Sequence, residues 1–174
     1  MALLTSKNLP MGMEAPMFEN LPGIDGKTYS LDDFYRYKAL VIIFMCVHCP
    51  YVQKIEHQIV ELHKKYADHQ VRIVAINPNN VEQYPEDSLE NMKKRAEAQG
   101  YSNLIYLRDN SQAVAKAYMA ECTPDLYLFD QDRELVYHGR IEEMHQAIDL
   151  MLAGEDPIVD QMPSQGCSIK WRET

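Results

Sequence analysis

Residues 40–52 read LVIIFMCVHCPYV. Six apolar residues, several of them β-branched, run directly into two cysteines spaced three apart, and a stretch of helical spacing follows. The run Leu40 to Met45 has the length and composition of a strand buried on both faces, as in a parallel sheet. Beyond it, Tyr51, Ile55, Ile59, Leu62 and Tyr66 fall at steps of four, four, three and four, which predicts a helix over 47–67 with those residues facing the core. A second buried-strand run, VRIVAIN, follows at 71–77. Strand, helix and strand in this order make a βαβ unit with two parallel strands.

The remaining elements extend that unit. Asp25-Gly26 marks a turn between short strands near the N-terminus. The segment 78–87 reads as a loop, and Asp87 with Glu90 as a capping box opening a helix that stops at Gly100. A third strand is expected at 103–107. A helix follows at 111–120, capped by Asp109 with Gln112. Segments 126–130 and 134–138 read as a hairpin, and a last helix spans 141–153. The expected organisation is an N-terminal arm (1–14), one α/β domain (15–153) with a central mixed sheet flanked by helices, and a C-terminal tail (154–174) packed on it.

The chain has 174 residues, enough for one domain with a substantial core. Its net charge is −9, and no basic cluster interrupts the acidic surface. That argues against nucleic-acid and membrane partners, which present negative charge. The first sixteen residues have no basic start followed by a long apolar core, so a cytoplasmic location is expected. Structural disulfides are rare in that compartment, where a Cys-x-x-Cys pair is redox-active or binds metal.

Three roles compete for the cysteines. As a redox couple, Cys46 would sit at the start of a helix, where unpaired N–H groups and the helix dipole lower a thiol pKa. Cys49, one turn on and more buried, would be the resolving thiol. His48 would lie near the thiolate and favour the reduced form, making the pair more oxidising, and Pro50 would occupy the first helical turn, where proline is tolerated. As a metal clip, Cys46, Cys49, Cys122 and Cys167 would supply four thiolates. As inert residues, all four would be core filler.

A strand ending in Cys-x-x-Cys and entering a helix resembles the thioredoxin superfamily. FMCVHCPYV, CTPDLYLFD, HGRI and GCSIKW together resemble a bacterial redoxin-like branch labelled AhpC/TSA. The resemblance implies a thioredoxin-like fold with an N-terminal hairpin extension. It also implies a cis-proline at Pro124 opposite the cysteines, and a Thr123 backbone that pairs with an incoming peptide. The implied activity is thiol–disulfide exchange with protein or small-molecule disulfides. Cys46 attacks, Cys49 resolves, and the electrons come from a thiol protein or glutathione; no cofactor and no metal are implied. Cys122 and Cys167 are candidate additional redox thiols. The alternative the resemblance implies is an antioxidant thiol peroxidase. Peroxiredoxins resemble one another in a Pro-x-x-x-Thr-x-x-Cys stretch, and neither that proline nor that threonine precedes Cys46. Leu40 and Met45 stand where thioredoxins have a buried acid and a tryptophan.

Overall fold

The computed structural model describes residues 3–173; residues 1, 2 and 174, the outer ends of the expected arm and tail, lie outside it. The chain runs through β1 (Leu3–Thr5), β2 (Leu21–Pro22), β3 (Thr28–Tyr29), β4 (Ala39–Phe44), α1 (Pro50–Lys65) and β5 (Val71–Asn77). It continues with α2 (Leu89–Gln99), β6 (Ile105–Arg108), α3 (Ala113–Ala117), β7 (Cys122–Thr123) and β8 (Asp125–Phe129). β9 (Leu135–His138), α4 (Met144–Leu152) and β10 (Gln165–Ser168) complete it.

Five strands form the central sheet in the order β6-β5-β4-β8-β9. β4, β5 and β6 are parallel, while β8 and β9 run antiparallel to their neighbours. The sheet is therefore mixed, and β4 lies at its centre. All six β4 residues are wholly buried because both faces are covered. Val41 and Ile43 pack with α1, α2 and α4; Leu40, Ile42 and Phe44 pack with α3 and the 3-10 turn Leu31–Phe34 on the other side. This is the three-layer arrangement that an unbroken apolar strand requires. The β2–β3 hairpin turns through Asp25-Gly26, and a small second sheet joins β1, β10 and β7.

Several boundaries differ from the sequence expectation for local reasons. The cap of α2 is Ser88, whose Oγ accepts from the Asn91 N–H at 3.2 Å; Asp87 is drawn into the interior instead. α3 is only five residues long, bounded by left-handed residues on both sides, Gln112 before it and Met119 after it. The last helix opens with a 3-10 turn, Ile141–Glu143.

The buried face of α1 is rotated from the expected one. Val52, Glu56, Ile59 and Leu62 point inward, while Tyr51 is 38% exposed. Glu56 is tolerated inside because its carboxylate accepts from Arg95 Nη2 at 2.5 Å, Arg95 Nε at 3.1 Å and Tyr101 Oη at 2.8 Å. A buried carboxylate needs such partners. In denaturant unfolding, Ile59→Ala should lower stability by about 3 kcal/mol through the cavity it leaves. Tyr51→Ala should stay within about 0.5 kcal/mol of the parent. Equal losses at the two positions would contradict this packing.

Candidate functional site

β4 delivers the two cysteines to one end of the sheet. Its pairing with β5 continues one residue further, through the Met45 N–H donating to Ile76 O at 3.0 Å. Cys46, Val47 and His48 then form a short loop. Pro50 is the first helical residue, and Cys49 is the N-cap in an extended conformation (φ −74°, ψ 121°). The expectation that Cys46 begins the helix is corrected here. Proline disfavours helical geometry at the residue before it, so the helix cannot start ahead of Pro50.

The other wall is the β7–β8 segment. The Thr123–Pro124 peptide bond is cis. Thr123 Oγ1 lies 3.4 Å from Cys46 Sγ, and the Thr123 carbonyl oxygen lies 3.5 Å from Cys49 Sγ. Both cysteines are almost inaccessible, at 2% and 1% exposure, so burial does not distinguish them.

Their protonation does. The Cys49 thiol is held well below the ordinary range. The main cause is the Cys46 thiol donating to its sulfur, and burial opposes the shift; Cys167 and the Val52 N–H act as further donors. Cys46 is pushed well up by its role as that donor, then by burial and by the nearby Asp87 charge. The two neighbouring thiols are thus shifted in opposite directions, Cys49 down and Cys46 up. The sequence expectation placed the lowered pKa on Cys46 at a helix start; with the helix beginning at Pro50, the N-cap position belongs to Cys49.

Asp87 is a site residue that the sequence did not reveal. It is wholly buried and accepts from the Val47 N–H at 2.7 Å, Asn77 Nδ2 at 3.2 Å and Asn79 Nδ2 at 3.0 Å. His48 Nδ1 lies 2.8 Å from Asp87 Oδ2, off the line of a good hydrogen bond, and its ring stacks on Tyr84. The only signal for this network was the polar run Asn77–Asn80 directly after a buried strand. Potential ligand atoms of Cys46, His48 and Asp87 lie within 4.8 Å of one another, a spacing that suits a cation. The Asp87 oxygens, however, are already engaged by three protein donors. The four cysteines do not come together as a ligand set among the described residues, against the metal-clip alternative.

The other candidates separate. Cys122 is buried, its thiol directed at the Pro124 carbonyl at 3.9 Å and its pKa pushed far up, mainly by burial. Cys167 lies in β10, opposite Thr123 in the strand register and within reach of Cys49. His138 pairs with Asp125 at 2.7 Å and stacks on Tyr127, a packing role. A groove of about 620 Å³ runs from Pro124 between Tyr51, Ile55 and Gln58 of α1 and tail residues Met162–Gln165.

Comparison with known proteins agrees with this architecture. A family model described as the AhpC/TSA family matches residues 11–138. No curated protein matches. Among solved structures, an uncharacterized conserved protein from Geobacillus kaustophilus is 44% identical, with a TM-score of 0.96 over 100% of this chain and 98% of that one. A hypothetical protein from Sinorhizobium meliloti is 36% identical, with a TM-score of 0.94 over 98% and 99%. The thioredoxin domain of a thiol-disulfide oxidoreductase from Bacteroides vulgatus shares the fold at 19% identity, with a TM-score of 0.68 over 82% and 97%.

Asp87→Asn removes one of the causes that hold Cys46 protonated, so the alkylation-rate profile of Cys46 should move to lower pH. An amide also replaces an acceptor with a donor facing two other amides, at a cost of about 1–2 kcal/mol in unfolding. A profile unchanged in pH would show that Asp87 does not act on the thiol.

Proposed function

This chain belongs to the AhpC/TSA family, and from that premise we propose that it is a thiol–disulfide oxidoreductase working through Cys46 and Cys49. The observation that carries the reading is the placement of both sulfurs against Thr123, Cys46 Sγ 3.4 Å from its hydroxyl and Cys49 Sγ 3.5 Å from its carbonyl oxygen, beside the cis-proline. Thioredoxin-like structural neighbours, including the Bacteroides vulgatus oxidoreductase domain, support the same class of chemistry.

The opposed shifts suggest how the cycle balances. Cys46 stands on the loop side, beside the half-buried Val47 and His48, whereas Cys49 is flanked by Cys46 and Cys167. As Cys46 attacks a substrate disulfide, its proton passes to the Cys49 thiolate. A Cys46–substrate mixed disulfide forms and one substrate thiolate leaves. That thiolate takes the proton from Cys49, and the freed Cys49 thiolate attacks Cys46. A Cys46–Cys49 disulfide forms and the second substrate thiolate departs. Cys49 is thus base first and resolving nucleophile second, which removes the need for the buried acid that Leu40 replaces. A thiol protein or glutathione in the cytoplasm returns the electrons by the reverse exchange.

The family match also suits a thiol peroxidase, in which peroxide oxidises Cys46 to a sulfenic acid that Cys49 condenses with. Two assays separate the readings. With a peptide disulfide, Cys46→Ser should lose turnover by at least roughly 10³-fold, since removing a covalent nucleophile costs up to about 10⁶. Cys49→Ser should accumulate a mixed disulfide at Cys46. In stopped-flow, peroxide should oxidise the reduced protein far more slowly than the peptide disulfide does. Faster consumption of peroxide would favour the peroxidase, and an adduct that persists without Cys46 would overturn its role.

A further inference from the structure

The backbone edge beside the two sulfurs is already occupied. β10 pairs antiparallel with β7, Cys167 opposite Thr123 and Ser168 opposite Cys122, and β1 pairs with the outer edge of β10. Thr123 is the residue whose hydroxyl and carbonyl touch Cys46 and Cys49. A strand lying on Thr123 therefore also covers the thiols, in keeping with their 2% and 1% exposure.

The fit is close. A Cβ on Gly166 would lie 1.9 Å from the Thr123 carbonyl oxygen and 2.5 Å from its carbon, so only glycine admits this approach. The tail is tied down on both sides of the strand. The Ser6 N–H donates to Ser164 O at 2.9 Å and the Ile169 N–H to Glu121 O at 3.1 Å. The Lys170 N–H donates to Asn79 Oδ1 at 2.9 Å, linking the tail to the Asp87 network. Within this strand, Cys167 sits directly opposite Thr123, whose carbonyl oxygen lies 3.5 Å from the Cys49 sulfur, and its thiol and N–H help to lower the Cys49 pKa.

Resting on the exchange chemistry proposed above, we infer that β10 is a resident occupant of the Thr123 edge and that its Cys167 is a third exchange thiol. After the Cys46–Cys49 disulfide forms, the Cys167 sulfur attacks Cys49. The Cys46–Cys49 bond breaks, a Cys49–Cys167 bond forms, and the proton lost by Cys167 goes to the departing Cys46 thiolate. No oxidant is consumed, since the oxidation state of the protein is unchanged. The product holds the tail covalently over Thr123 and leaves Cys46 as a thiol. A bulky disulfide substrate reaches the sulfurs only when the reduced tail swings away.

Two variants of the full chain test this. Cys46→Ser, treated with oxidised glutathione and mapped by mass spectrometry without reduction, should give a Cys49–Cys167 disulfide as its dominant species. Glutathione retained on Cys49, with Cys167 still open to alkylation, would overturn the third-thiol role. Gly166→Val should keep the far-ultraviolet circular dichroism of the parent and raise the alkylation rate of the reduced active-site thiols about tenfold or more, as local opening does. An unchanged rate would overturn the occupancy. The parent, oxidised with diamide, separates the two proposals. A Cys46–Cys49 bond there, with no Cys49–Cys167 bond in Cys46→Ser, removes this inference alone, whereas the absence of both bonds from the oxidised parent removes the exchange chemistry beneath it.

Discussion

Thr123 holds the site together. Its hydroxyl meets Cys46, its carbonyl oxygen lies 3.5 Å from the Cys49 sulfur, and its backbone carries the C-terminal strand. These contacts require a two-residue strand, β7 of the small second sheet, to lie beside the end of β4. The cis bond to Pro124 turns the chain from β7 into β8, which pairs antiparallel with β4. The central strand thus supplies the sulfurs, and its antiparallel neighbour brings the residue that positions them.

Within that frame, charge placement determines the chemistry. Two buried thiols in apolar surroundings would both remain protonated. Here the two neighbouring sulfurs shift each other in opposite directions, Cys49 down and Cys46 up. Asp87 reinforces the asymmetry, because a wholly buried carboxylate beside Cys46 disfavours a second negative charge there. The same carboxylate fixes the loop by accepting from the Val47 N–H, so one group acts on both the loop geometry and the Cys46 pKa.

The framework was readable from local pattern. Buried parallel strands carry unbroken aliphatic runs, and Val71–Asn77 appears at the expected residues. The Cys-x-x-Cys at a strand–helix junction was legible as local pattern, while the meeting of Pro124 with Cys46 and Cys49 was implied only by the resemblance to the thioredoxin superfamily. The start of α1 was legible too, since a residue preceding proline resists helical geometry, yet the apolar spacing from Tyr51 onward outweighed it. That spacing also misplaced Tyr51, because Glu56, a charged residue by type, takes an inward position through Arg95 and Tyr101, both distant in sequence. Asp87 looked like a helix cap because its partners, Val47, Asn77 and Asn79, are brought to it only by the fold. The register of β10 on β7 was likewise hidden, since a four-residue strand has no periodicity to detect and its partner lies more than forty residues away.

The most direct test is a residue-resolved titration of the reduced parent protein, labelled with carbon-13 at the cysteine Cβ positions and followed by NMR. The account predicts two separated transitions, Cys49 ionising well below the free-cysteine value of about 8.5 and Cys46 well above it. Two thiols titrating together near the free value would contradict it.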